Sequence, residues 1–275
     1  MNFLSALIIT LNEEKNIARC IDSVEHVADE VIILDCYSTD NTVEIARSKG
    51  AIVHQQKFKG YIEQKNCALQ LASYDFILSL DADEAIDEKL ADAILKEKEH
   101  FTHSAYRMNR CTNYCGRFIR HGLWYPDKKI RLFDRRSAEW GGINPHDKIE
   151  LTEHCSIKHL CGEILHFSYN SIEEHIQQNN KLSSIAAHSL YKMGKRIHWM
   201  KLVINPGWAF INGYFFRLGF LDGFYGFVIA INTSHQTFLK YIKLYHLQRS
   251  AIKKIKSIIT KPIKRIAEST HGEIS

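Results

Sequence analysis

The 275 residues suffice for one large α/β domain or for a domain with a sizeable appendage, and 45% hydrophobic with 24% charged residues excludes disorder throughout. The net charge of +5 is unevenly spread: residues 223–267 contain no Asp or Glu, while Lys253, Lys254, Lys256, Lys261, Lys264 and Arg265 crowd their end. No recognition motif accompanies these lysines, so a nucleic-acid-binding module is not expected.

The first apolar run, LSALIIT at 4–10, reads as a buried strand. It has no basic leader and no small-residue cleavage site before Asn12 and Glu13, so export is not expected, and the seven cysteines read as reduced thiols of a cytosolic protein. Cys111, Cys115, His121, Cys155, His159 and Cys161 lack the C-x2-C spacing of a zinc site. After the first run, LNEEKNIARCIDSVEHV at 11–27 carries Ile17, Cys20, Ile21 and Val24 at helical spacing. DEVIILD at 29–35 is a second strand, and STDNTVEIARSKG at 38–50 a helix ending on Gly50. AIVHQQ at 51–56 is a short strand, GYIEQKNCALQLASY at 60–74 a helix, and DFILSLD at 75–81 a fourth strand. Such alternation predicts an α/β fold, a mostly parallel sheet flanked by helices with ligands beyond the carboxyl ends of its strands.

At one such end stand Asp81, Asp83 and Glu84. Like charges this close repel and resist desolvation, so a cation is expected among them. Neither a G-x-G-x-x-G after the first strand nor a G-x-x-x-x-G-K-[ST] is present, which argues against a dehydrogenase or P-loop kinase. A fold holding a nucleotide diphosphate through a metal remains, and Asp oxygens suit Mg2+ or Mn2+. Alternation along a strand lets Asp81 and Asp83 face one side, one for the metal and one for a ribose.

Four blocks in order, LIITLNEEKNI at 7–17, VIILDCYSTDNT at 31–42, GYIEQKNCAL at 60–69 and LSLDADE at 78–84, resemble the inverting family 2 glycosyltransferases of GT-A fold. More loosely, residues 116–136, 140–150 and 164–181 resemble the branch that builds lipopolysaccharide inner core or related surface glycans. The resemblance implies that the Thr10, Leu11, Asn12 and Glu13 turn and Asp35 contact the base and ribose of a nucleotide-sugar donor. It places Lys65 at the ribose or diphosphate, Asp81 at the ribose and Asp83 on the metal. Many members have a second Asp where this chain has Cys36, which cannot accept a hydrogen bond from a uracil ring as a carboxylate does.

Inverting transfer needs a base for the acceptor hydroxyl. Asp147 in PHDK is the first choice and Asp127 in WYPDKK the reserve; a turn or helix cap is the competing role for Asp147. Trp124 and Tyr125 are expected to stack on an acceptor sugar, with His146 beside them and Arg131 or Arg120 pairing with an acceptor anion. Glu84 is expected to orient Asp83, and His166 and His175 read equally well as structural or functional. Residues 1–185 are expected to form the GT-A domain, 1–100 for the nucleotide sugar and 101–185 for the acceptor, with 186–275 a helical extension, aromatic and then basic. Residues 202–233 carry two formal charges, Arg217 and Asp222, but Pro206 and several glycines interrupt them. That pattern suits the surface of an anionic membrane, or a buried hairpin with a solvated tail. The expected partner is a lipid-linked glycan, and the expected location the cytoplasmic face of the plasma membrane. A nucleotidyltransferase would carry a glycine-rich basic loop where TLNEEKN is acidic, and an inactive sugar-binding homologue would have little use for D-A-D and a base.

Overall fold

The computed structural model describes the backbone of residues 2–143 and 146–271, and the side chains of 2–142 and 147–250. Two compact units divide the chain, one of residues 1–120 with 124–170 and one of 121–123 with 171–275. Residue 185, the expected boundary, lies inside a helix of the second unit.

In the first unit the alternation runs β1 (Leu4–Thr10), α1 (Ile17–Val24), β2 (Glu30–Asp35), α2 (Thr42–Ser48), β3 (Ile52–Gln55), α3 (Tyr61–Leu71) and β4 (Phe76–Asp81). α1 starts at Ile17, where its apolar spacing begins; the residues before it form a turn of their own, in which the Glu13 carbonyl accepts from the Asn16 and Ile17 N–H groups. β5 (Glu84–Ile86), α4 (Glu88–Glu99), β6 (Ala105–Tyr114), β7 (Arg117–Phe118), β8 (Asp127–Asp134), the hairpin β9 (Ala138–Ile143) and β10 (His146–Leu151), and β11 (Ile157–Tyr169) complete it. The Asp87 carboxylate caps α4 by accepting from the Leu90 N–H at 2.8 Å.

The main sheet is ordered β3-β2-β1-β4-β8-β6-β11-β5, with β7 beside β6. β1 pairs parallel with β2 and β4, and both faces of these strands are covered, which is why they read as unbroken Leu and Ile runs. Thr10 pairs with Asp35 and Ile9 with Asp81, so three strand ends stand level. After β4 the chain crosses in two residues to β5, which pairs antiparallel with β11 of the same sheet, so the sheet curls until β5 lies beside the end of β4. This crossing decides where the site lies.

The second unit holds α5 (Ile172–Lys192), α6 (Lys201–Ile211), a π-helical turn at Asn212–Phe216, a 3-10 turn at Gly219–Asp222 and the long α7 (Gly223–His271). Ser171 caps α5 by accepting from Glu174 N–H, and Glu173 and Glu174 in its first turn complement the helix dipole. His175 on α5 is buried, and burial lowers its pKa to about 4. Its burial gives an acid sensitivity. The unfolded imidazole takes a proton below about pH 6.5 and the folded one only near 4, so stability falls as pH drops through that window and is unaffected above it. A loss on the order of 2 kcal/mol is expected, allowing for partial solvent screening. Urea unfolding near pH 7 and pH 4.5 measures it: His175→Gln should lose less on acidification, and equal losses would refute the assignment.

Candidate active site

The cation expected among the strand-end carboxylates is supplied by the chain itself. Arg131 of β8 is buried and its Nη2 donates to Asp81 Oδ2 and to Glu84 Oε1, each at 2.9 Å. Arg110 of β6 reaches Glu84 Oε1 at 3.1 Å, and Glu84 Oε2 accepts the Asp81 N–H. Burial works to raise the pKa of Asp81, but the Lys65 ammonium and Arg131 guanidinium overcome it and hold the carboxyl below its ordinary range. Glu84 is likewise held down, Arg131 and Arg110 outweighing burial. Arg131, buried with them, is held more firmly protonated still.

Three expectations change here. Arg131 does not face an acceptor anion, because its guanidinium is committed to two buried carboxylates. Glu84 orients Asp81 and the arginines, not Asp83. Asp81, expected at a ribose, has Lys65 on Oδ1 at 2.9 Å and Arg131 on Oδ2, so a ribose hydroxyl would share these oxygens with two cations.

Asp83 is different. It leaves the arginines, points to the other side of the turn and places Oδ2 3.1 Å from His166 Nε2, with Ser168 Oγ 3.2 Å from the same nitrogen. Both side chains are partly exposed. A carboxylate oxygen and an imidazole nitrogen converging beside a cavity suit a divalent cation whose other ligands are phosphate and water, Mn2+ accepting the nitrogen more readily than Mg2+. Among the described residues no group of three or more His, Cys, Asp or Glu side chains is placed to hold a metal ion by itself, including the cysteines and histidines weighed for zinc.

That cavity, of about 280 Å3, is walled by Asn12, Glu13, Asn16, Asp40, Asp83 and Ser168. Burial raises the pKa of Glu13, and Asp83 and Asp40 add to it. The turn after β1 is locked to the loop after β2: Asn12 N–H donates to Ser38 Oγ, its Oδ1 accepts from Thr39 N–H, and Glu13 N–H donates to Thr42 Oγ1, all at 2.8 Å. Asn12 and Tyr37 hold positive φ of 57° and 61° at its two edges, a strained backbone of the sort that functional loops retain. Leu11 and Tyr37 are exposed there; Thr10 is buried. Asp35 is fully buried, its carboxylate bonded to Ser38 and to Gln55 Nε2, so it fixes the loop and does not present itself to a base. Burial and the neighbouring Asp35 push the Cys36 thiol up, keeping it protonated.

Lys65 on α3 bridges two carboxylates from different parts of the first unit. Nearly buried, it bonds Asp81 at 2.9 Å and Asp147 Oδ2 at 2.8 Å and lies 4.3 Å from the centre of the Trp140 ring. Lys65 thus brings Asp147, on β10, next to Asp81. Asp127 is bound by Arg110 and Lys129. The side chain of His146 lies outside the described residues. Trp124 packs between Tyr114 and Tyr169, stacked on the latter at 5.6 Å, which makes it part of an aromatic cluster. Tyr125 and Arg120 bind Glu163 in a separate cavity of about 670 Å3 at the start of α4. Neither meets Asp83. Sequence reasoning missed Tyr37, Arg110 and the pairing of His166 with Asp83; for Arg131 the signal was an arginine inside an apolar strand run, KIRLF, which implies a buried partner.

Comparison with known proteins agrees with this architecture. The model of "Glycosyl transferase family 2" matches residues 5–175. An uncharacterized glycosyltransferase of Rickettsia typhi is 35% identical over 90% of this chain and 88% of its own length. The lipopolysaccharide core biosynthesis glycosyltransferase LpsC of Rhizobium meliloti is 29% identical over 91% of this chain and 94% of its own. Among solved structures, glucosyl-3-phosphoglycerate synthase of Mycobacterium tuberculosis, crystallised with Mn2+, uridine diphosphate and glucosyl-3-phosphoglycerate, aligns at a TM-score of 0.33 and 24% identity, covering 41% of this chain and 44% of that one. With parallel strands ending level, a carboxylate turn at their ends and a family match over most of the first unit, the chain is a GT-A-fold member of glycosyl transferase family 2.

Proposed function

We propose that this glycosyltransferase moves a hexose or heptose from a nucleotide sugar to a lipid-linked glycan, in synthesis of lipopolysaccharide core or a related surface polysaccharide. The observation that carries the reading is the division of labour at one turn: Asp83 with His166 on the cavity side, and Lys65 bridging Asp81 and Asp147 on the other. The Rhizobium relative, named for lipopolysaccharide core biosynthesis, supports the acceptor class.

Asp83 and His166 would hold Mg2+ or Mn2+, which when bound neutralises charge on the departing diphosphate. The locked turn of Leu11, Asn12 and Glu13 and the ring of Tyr37 border the nucleotide. Lys65 stabilises two carboxylates until a more anionic diphosphate competes for its ammonium; once released, Asp147 accepts the proton of the acceptor hydroxyl as that oxygen attacks the sugar. The sugar carbon passes directly from diphosphate to acceptor, so no covalent enzyme intermediate is needed and the configuration inverts.

A thermal-shift series with UDP, GDP, CMP and ADP, each with and without Mn2+, tests the donor half. Stabilisation of a few °C by one nucleotide and only with metal is expected; no shift with any would overturn the donor site. For the acceptor half, Asp147→Asn should lower kcat by roughly 10^2 to 10^4 while keeping the nucleotide-induced shift. Loss of the shift itself would reassign Asp147 to donor binding.

A further inference from the structure

The second unit buries polar groups beside apolar ones such as Ile229 and Leu244, while much of its apolar surface is left outside. Asn179 and Ser183 on α5 and Asn232 on α7 are buried, and the amide of Asn179 donates to the Asn232 carbonyl at 3.3 Å. Lys243 donates to the carbonyl and side chain of Asn180 and to Ser183 and Ser184, within 2.8 Å. Ser234 donates to the Pro206 carbonyl, joining α7 to α6. Outside, the pattern is apolar. Ile204, Trp208, Ile211 and Phe215 recur at helical spacing, each between 43% and 60% exposed. On α7, Phe224, Phe227, Ile231 and Phe238 form a second exposed stripe. In water such an arrangement is unfavourable, and contiguous exposed apolar faces of this kind mark an interaction surface.

The bend between the stripes is built, not frayed. The helical segments 201–216 and 219–250 meet at 72°. Gly219 and Gly226 permit the approach: a Cβ on Gly219 would lie 2.6 Å from the Gly213 carbonyl oxygen, and one on Gly226 would lie 1.9 Å from that of Gly219. Residues 121–123 staple the bend. His121 N–H donates to Asp222 Oδ2 at 2.8 Å, its ring nitrogen lies 3.2 Å from Oδ1, and Gly122 N–H donates to the Arg217 carbonyl. At the elbow Phe215, Phe216, Leu218, Phe220, Leu221 and Phe224 stay exposed.

Charge selects the occupant. From residue 175 to 267 the sequence has fifteen Lys and Arg against one carboxylate, Asp222, and Asp222 is buried against His121. Lys192, Lys195 and Arg196 precede the first arm, Lys201 begins it, and Lys240 and Arg249 follow Phe238. A partner must be apolar in the middle and anionic at its margin. The arm of residues 201–216 is about 24 Å long at helical rise, shorter than the roughly 30 Å hydrocarbon core, and no single described helix is long and apolar enough to cross a membrane.

We infer that residues 199–238 form a re-entrant wedge that enters one leaflet of an anionic bilayer, elbow first, and returns to the same side. Exposed Arg217 sets the depth, its guanidinium reaching lipid phosphates while the neighbouring phenylalanines enter the acyl region. This inference stands apart from the catalytic reading, and its test involves no turnover.

The full chain is floated with vesicles of phosphatidylcholine alone or with about one third phosphatidylglycerol, and the fluorescence of Trp199 and Trp208 is followed with lipids brominated at different depths. Binding is expected only with anionic lipid, falling but persisting in 1 M salt, with quenching strongest for bromines near the carbonyl end and reduced by Trp208→Phe. The exposed triple change Phe215→Ser, Phe216→Ser, Phe224→Ser should weaken binding by at least about thirtyfold with an unchanged circular dichroism spectrum. Absence of vesicle binding would overturn the inference. So would binding abolished by salt without quenching, which is surface adhesion; quenching strongest at the methyl end, which is a span; or a concentration-dependent oligomer that the triple change dissolves, which is a second copy on this face.

Discussion

Replacing Asp83 by Asn is expected to lower turnover by about a thousandfold or more while leaving the melting temperature within roughly 2 °C of wild type. The asymmetry follows from the turn. Asp81 and Glu84 are tied to Lys65, Arg131 and Arg110, so their charges hold the fold; Asp83 is partly exposed and meets His166 and Ser168. The amide keeps the shape and removes the charge that would bind a metal. Titrating activity against Mn2+ separates the causes, because a binding defect should be partly relieved at high metal, and His166→Ala should show a milder form of it, about ten- to a hundredfold. Near-normal activity of Asp83→Asn at low metal would sink the metal assignment.

Arg131→Met should do the opposite, acting on stability first. It removes the cation shared by two buried carboxylates and leaves both underpaired, which is expected to cost about 3–5 kcal/mol and roughly 6–20 °C of melting temperature. Because Arg131 and its neighbours hold Asp81 and Glu84 below the ordinary carboxylate range, their contribution is present at neutral pH and disappears only as pH falls through the depressed values. The gap between wild type and variant should therefore be widest near pH 7 and narrow in acid. Adding Glu84→Gln to Arg131→Met should recover part of the loss, since a neutral amide no longer needs the cation, and strict additivity would contradict the shared-cation account. Calorimetry across pH decides it.

The strands and helices of residues 1–81 were legible because each parallel strand is a short buried apolar run and each helix between has its own apolar face. The carboxylate turn was legible for the same reason: charge at the end of such a run stands out. What balances that charge was not. Arg110, Arg131 and His166 lie 26, 47 and 83 residues from their carboxylate partners, on strands whose order in the sheet no local pattern states. Asp35 shows the reverse error. Its position at a strand end suggested a ligand contact, yet the backbone turn beyond it takes its carboxylate inward. In the second unit the expected aromatic stretch was visible, but not that three residues near position 122 belong with it and pin its bend.

The crossing from β4 to β5 also bears on how this chain tolerates change. Only Ala82 and Asp83 separate the two strands, and the Asp83 carbonyl accepts a backbone bond from Phe167. A bridge of two residues has no slack, so inserted glycines here would draw Asp83 off His166 and pull β5 out of register with β11.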